Sequence, residues 1–172
     1  RAAAIVVRNS NAQFLIVGDG TKKKSLERLA KKLRISDRVH FPGFIVADGS
    51  RGQGRVLPNG DLPGLYRLSS VFVTASVVET QGLVLLEASA CGLPLVAFDA
   101  TCMSEMIMDG ETGYLISQED AAQLATKLLH ILSNSEEATR MGIKARRFVE
   151  AGHAKSDSIK ILENLYKRIA NG

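Results

Sequence analysis

The strongest constraint in this sequence is the stretch 71–98. Val71-Phe72-Val73-Thr74-Ala75 leads through Glu79-Thr80-Gln81-Gly82 into Leu83-Val84-Leu85-Leu86-Glu87-Ala88-Ser89-Ala90, and the stretch closes on Leu95-Val96-Ala97-Phe98. A short β-branched and aromatic run, an apolar run of helical length and a second apolar run read as strand, helix, strand. Such a βαβ unit brings a parallel pair of strands with a helix covering them. Between Leu83 and Ala90 only Glu87 and Ser89 are polar, so this helix is expected to be covered on most sides. An ionised glutamate in that setting is costly unless a partner meets it. Gly82 stands where the chain enters the helix and lets the backbone come close to a ligand. The N–H groups there and the positive dipole end form an anion seat, with phosphate as the usual guest.

Two carboxylates flank that helix head. Glu79 lies before it and Glu87 about a turn and a half inside it. At a rise of roughly 1.5 Å per residue they straddle the head by something on the order of a nucleotide-sugar's length. Spacing leaves a second reading open, in which Glu79 only complements the helix dipole and Glu87 pairs with a buried Arg or Lys.

The whole chain, 172 residues, fits one domain with a real core, and 45% hydrophobic with 23% charged residues is ordinary for a globular protein. A net charge of +4 permits attraction to phosphates or an anionic membrane surface. The sparse aromatics are not interleaved with a basic stripe, so nucleic acid is not an expected partner. Cys91 and Cys102 form no CxxC pair, which points to the cytoplasm rather than an oxidising compartment, and no His, Asp and Glu cluster has metal spacing. No apolar run approaches the roughly 20 residues that span a bilayer.

Elsewhere the pattern predicts a helix from the start of the chain to Arg8 and a buried strand over 14–17 that feeds Gly18-Asp19-Gly20. A helix over 21–34 follows, capped by Thr21, with Leu26, Leu29, Ala30 and Leu33 at core-facing spacing. Its Lys22-Lys23-Lys24 run reads as a solvated face or as a phosphate contact. Val39 to Phe41 forms a strand, and 46–60, rich in glycine and without apolar periodicity, is expected to be a flexible loop. A helix over 61–69 carries Leu62, Leu65, Tyr66 and Leu68 to the core, Tyr114-Leu115-Ile116 is an edge strand, and helices over 119–132, 136–150 and 156–169 close the chain. In the last of them Ile159, Leu162, Leu165 and Tyr166 form one face.

Glu79-x7-Glu87 with Gly82 between, followed by Ala88-Ser89-Ala90-Cys91-Gly92-Leu93-Pro94, resembles the signature of retaining glycosyltransferases of family four, also called group 1. Phe14-Leu15-Ile16-Val17-Gly18-Asp19-Gly20, Asp37-Arg38-Val39-His40-Phe41-Pro42-Gly43, Leu62-Pro63-Gly64-Leu65-Tyr66 and Asp109-Gly110-Glu111-Thr112-Gly113-Tyr114 extend the likeness over nearly the whole chain. The resemblance implies an α/β fold, a Rossmann-like parallel sheet flanked by helices, as one half of a GT-B enzyme. It implies that residues 1–172 are a single C-terminal, donor-binding domain starting inside its first α-helix. The family's first strand, its diphosphate-gripping Arg/Lys pair and its acceptor-binding N-terminal domain have no counterpart here.

By the same resemblance a nucleoside-diphosphate sugar would set its pyrophosphate over Gly82 and Leu83 with Val84 in reach. Its ribose would meet Glu87, and the transferred hexose Glu79, the residue expected at the reaction. Gly18 would line the cleft, Gly43 and Phe44 would meet the base, and Glu105 aligns with a family acid although the glycines of the usual Gly-Gly-x-x-Glu turn are absent. The expected partners are that donor and a glycan or glycolipid acceptor, typically of cell-envelope polysaccharide pathways, with no metal cofactor and with peripheral membrane contact at most. Two other readings stay open: a non-catalytic sugar-nucleotide-binding scaffold and a GT-B sugar-nucleotide epimerase.

Overall fold

The computed structural model describes residues 1–46, 55–56, 62–117, 120–152 and 155–170. Helix α1 (Ala2–Asn9) precedes strand β1 (Phe14–Val17), helix α2 (Lys23–Lys32) and strand β2 (Val39–Gly43). Two short strands, β3 (Ile45–Val46) and β4 (Arg55–Val56), pair in parallel with each other. Then come α3 (Leu62–Arg67), β5 (Phe72–Thr74), α4 (Leu83–Ala90), β6 (Leu95–Phe98), α5 (Met103–Met106) and β7 (Gly113–Ile116). Helices α6 (Ala121–Ser133), α7 (Ser135–Gly152) and α8 (Lys155–Ala170) close the chain.

Among the described residues every strand pairing is parallel, as the βαβ reading requires. Strand β6 is central in the order β5-β6-β7, and all four of its residues are buried. Its alternation builds two cores. Leu95 and Ala97 meet Leu85 and Ala88 of α4 and Met103 of α5. Val96 and Phe98 meet Val6 of α1, Leu124 and Leu128 of α6 and Met141 of α7. Each fully buried aliphatic side chain here contributes about 1.5–3 kcal/mol. A third cluster joins Ala4, Ala30, Ile35 and Val39, so α1 and α2 share the β2 side.

The end of α4 is fixed by a turn. Gly92 has φ +79 and the Leu93 amide donates back to the Ala88 carbonyl at 3.1 Å, a Schellman-type stop. Helix α7 crosses this turn at Gly142, where a β-carbon would lie 2.0 Å from the Gly92 carbonyl oxygen. Only glycine permits that approach.

Several sequence expectations need correction. Strand β1 is not buried: Leu15, Ile16 and Val17 are exposed, because β1 hydrogen-bonds only to β2 and no described strand bridges it to β5. The strands therefore fall into separate ladders rather than one continuous sheet. Thr21 does not cap α2; the helix opens on a backbone turn in which the Lys23 amide donates to the Gly20 carbonyl at 3.1 Å. It also stops early, where Arg34 turns to φ +57 and the Ile35 amide reaches the Ala30 carbonyl at 3.0 Å. Of its expected core face only Ala30 is buried.

Helix α3 buries no residue fully, and Leu68 beyond it is exposed. Ile159, Leu162, Leu165 and Tyr166 of α8 share a helix as expected, yet all four are exposed. The expected loop over 46–60 lies mostly outside the described residues; of it, Val46 and Arg55–Val56 belong to the β3–β4 pair.

The junction of α6 and α7 is tied to β7 through Glu137. Tyr114 Oη donates to Glu137 Oε1 at 2.9 Å, while Oε2 meets His130 Nε2 at 2.8 Å and accepts from Asn134 Nδ2 at 3.1 Å. The Tyr114 hydrogen bond first, and then His130 and Arg140, hold the Glu137 carboxyl below the ordinary glutamate range. A depressed folded-state value stabilises the fold above the unfolded value, near 4.3, and that contribution is lost as pH falls through the folded one. Urea titrations between pH 3 and pH 7 are therefore expected to show a shallower acid loss of stability in Glu137→Gln than in the parent chain.

Candidate functional site

The head of α4 is built by the chain between β5 and the helix. Gly82 is the N-cap residue with φ +61, a left-handed conformation that costs a residue with a side chain roughly 1–2 kcal/mol. The first intrahelical bonds run from the Leu85 and Leu86 amides to the Gly82 carbonyl, at 2.8 and 3.2 Å. The Leu83 and Val84 amides precede them and have no acceptor within the helix. Both side chains are exposed, at 58% and 41%, so the helix presents an open face beside its head. This corrects the expectation of a helix covered on most sides: only Leu85, Ala88 and Ser89 are buried.

Glu79 sits at the head and is half-buried. Its Oε1 accepts from the Thr80 amide at 3.1 Å and the Gly82 amide at 3.3 Å. Thus Gly82's N–H is engaged by Glu79, and among the described residues the Leu83 and Val84 amides meet no acceptor. An acid three residues ahead of a helix start is the local signal for this cap-like contact. The Glu79 carbonyl in turn lies 3.7 Å from the Cys102 thiol. A β-carbon on Gly82 would lie 2.9 Å from Leu85 Cδ1 and 3.5 Å from Met106 Cγ, so α5 backs the same loop. Glu105 is on that four-residue helix and is exposed.

Glu87 is exposed one and a half turns along α4, and among the described residues it forms no ion pair with a buried Arg or Lys. Its Oε2 accepts from Tyr66 Oη at 2.7 Å, a contact between α3 and α4 that the sequence reading missed by assigning Tyr66 to the core. Burial first, and then the Glu87 carboxylate, push the Tyr66 hydroxyl far above the usual tyrosine range, so it remains a donor.

Gly18 and Gly43 come together at the ends of β1 and β2. The Gly18 amide donates to the Gly43 carbonyl at 2.9 Å, and both have positive φ, +119 and +87. Lys23 folds over this corner: a β-carbon on Gly43 would lie 3.2 Å from its Nζ, which is 4.0 Å from Asp19 Oδ2. Phe44 is 53% exposed and does not pack into the core. Two cavities, of about 500 and about 310 Å³, open along α7 and at the α6–α7 junction; neither is lined by Gly82, Glu79 or Glu87. Among the described residues no three His, Cys, Asp or Glu side chains cluster as a metal site needs.

A parallel α/β domain with glycine-shaped strand ends and helices on its faces is of the Rossmann-like type, in which the carboxyl ends of the strands are the usual place for a ligand. The particular family follows from comparison: the profile described as "Glycosyl transferases group 1" matches residues 1–148, and the chain belongs to that family. It is 31% identical over 166 residues to N-acetyl-alpha-D-glucosaminyl L-malate synthase of Bacillus anthracis, covering 96% of this chain and 40% of that protein. It is 31% identical over 148 residues to a GDP-mannose-dependent alpha-(1-6)-phosphatidylinositol monomannoside mannosyltransferase of Mycolicibacterium smegmatis, covering 82% of this chain and 36% of that one. The chain thus spans about 40% of the length of such curated relatives.

Among solved structures, S. aureus TarM, crystallised as a variant with fondaparinux, α-GlcNAc-glycerol and UDP, superposes with a TM-score of 0.82 at 26% identity, over 96% of this chain and 31% of that one. Sucrose-phosphate synthase from Thermosynechococcus elongatus gives 0.81 at 25% identity, over 99% and 42%. The fold is that of one half of a GT-B glycosyltransferase.

The left-handed Gly82 yields a direct expectation. Gly82→Ala should lower unfolding stability by about 1–2 kcal/mol, read as a lower urea midpoint with an unchanged m-value.

Proposed function

We propose that this chain is the donor-binding half of a glycosyltransferase that moves a hexosyl group from a nucleoside-diphosphate sugar to a glycan or glycolipid. The observation that carries the reading is the α4 head: a left-handed Gly82 with the free amides of Leu83 and Val84, and the Glu79 and Glu87 carboxylates before and after it. Family membership supports it, and so do the names of relatives, which include a mannosyltransferase dependent on GDP-mannose and a structural neighbour crystallised with UDP.

In this reading the diphosphate lies against the Leu83 and Val84 amides. The glycosidic bond from the anomeric carbon to the phosphate oxygen breaks, and a bond to the acceptor oxygen forms. Negative charge grows on the leaving diphosphate as that happens. Oriented amides and the helix dipole stabilise this charge more in the transition state than in the ground state. Glu87 accepts from the ribose hydroxyls, and the second oxygen of Glu79 accepts from hydroxyls of the transferred sugar. Such charge-assisted hydrogen bonds are about twice as strong as neutral ones. Gly18, Gly43 and Phe44 form the base end, with Glu105 behind the loop. The acceptor oxygen enters on the face that the diphosphate leaves and gives its proton to that diphosphate, so configuration is retained.

We further propose that no resident metal is needed, so activity is expected to survive chelation. The acceptor would be held by a second domain, in the cytoplasm or at a membrane surface. No helix among the described residues is long and apolar enough to cross a membrane, and two relatives, a phosphatidylinositol monomannoside mannosyltransferase and an alpha-monoglucosyldiacylglycerol synthase, support the glycolipid side of the acceptor reading.

In the complete protein, Glu79→Gln is expected to lower kcat about 100-fold, while Glu87→Ala weakens nucleoside diphosphate binding about tenfold by calorimetry. Full activity in Glu79→Gln would remove Glu79 from the reaction, and donor binding without transfer by the parent protein would favour the non-catalytic scaffold. A new sugar epimer formed from donor alone would favour the epimerase.

A further inference from the structure

Glu87 is placed on an exposed part of α4, where a glutamate side chain ordinarily samples several rotamers. Here one oxygen is fixed by Tyr66 Oη at 2.7 Å. The Tyr66 ring is itself held: its centroid lies 6.0 Å from that of Phe72 on β5, tilted by 49°, and β5 is paired to the buried β6. Tyr66 and Phe72 both border the core cluster of Leu85, Ala88 and Leu95. Three elements thus converge to hold one carboxylate whose other oxygen, Oε1, has no partner among the described residues. A carboxylate meant only for solvent gains nothing from such a hold. One that must receive two neighbouring hydroxyls gains a preset plane and loses less rotamer freedom on binding.

We propose that Tyr66 is a positioning residue for nucleotide recognition, orienting the Glu87 carboxylate toward the vicinal hydroxyls of a ribose. The inference rests on the donor-site reading given above and deepens it. It makes the ligand class a ribonucleotide and assigns its sugar selectivity to the α3–α4 contact. Tyr66→Phe removes only the hydroxyl, keeps the ring on Phe72 and leaves an exposed carboxylate that water solvates.

The test uses the complete protein and isothermal titration. UDP, GDP and ADP are compared, and the tightest of them is titrated beside its 2′,3′-dideoxy analogue into the parent, Tyr66→Phe, Glu87→Ala and the double variant. Tyr66→Phe is expected to weaken the ribonucleotide about fivefold and to leave the dideoxy analogue within about twofold. In the Glu87→Ala background the Tyr66 change should then have no further effect on the ratio of the two ligands. Equal loss for both ligands, or no loss for either, while Glu87→Ala still separates them, overturns the positioning role alone. If Glu87→Ala leaves both ligands bound as in the parent, or if no nucleotide binds the parent, the donor-site reading fails and this inference falls with it.

Discussion

Burial of β6 on both faces is the constraint on which the remaining architecture depends. Four consecutive apolar residues, Leu95 to Phe98, leave no side for solvent, so one layer of helices must cover each face. Leu95 and Ala97 bring α4 and α5 to one side, while Val96 and Phe98 bring α1, α6 and α7 to the other. Parallel pairing with β5 and β7 then fixes where α4 begins. The helix head lies on the connection leaving the carboxyl end of β5, where open α/β sheets present their ligands. The location of the site is therefore a by-product of packing, and its chemistry comes from the few polar residues that packing leaves there.

How much of this was legible in the sequence differs from residue to residue. The β5-α4-β6 unit was legible because full burial demands an uninterrupted apolar run, and little else produces Leu95-Val96-Ala97-Phe98. Gly82's place at the helix entry was legible because a glycine between a loop and an apolar helix marks a backbone special position. Coverage was not. Leu15, Ile16 and Val17 read as buried, and Leu83 and Val84 as enclosed, because apolar composition states that a residue can be covered, not which neighbour arrives to cover it.

The polar partnerships of the site separate in the same way. Glu79 to Gly82 is a contact three residues apart, readable from spacing. Tyr66 to Glu87 spans 21 residues and depends on how α3 settles beside α4, which no local pattern encodes. The reading of Tyr66 as an apolar residue was half right: its ring does lie against Phe72, and its hydroxyl does separate work.

The close crossing of α7 over the Gly92 turn bears on how the site can respond to what it holds. Gly142 and Gly92 pin the tail of α4 without room for even a methyl group between them. The opposite end carries the exposed Leu83 and Val84 side chains, but its Leu85 is buried in one cluster with Leu95 and Ala97, and α5 backs Gly82 through Met106. In the donor-site reading, the amide seat is then carried on a helix that the core already holds near both ends, and an occupant meets it in place.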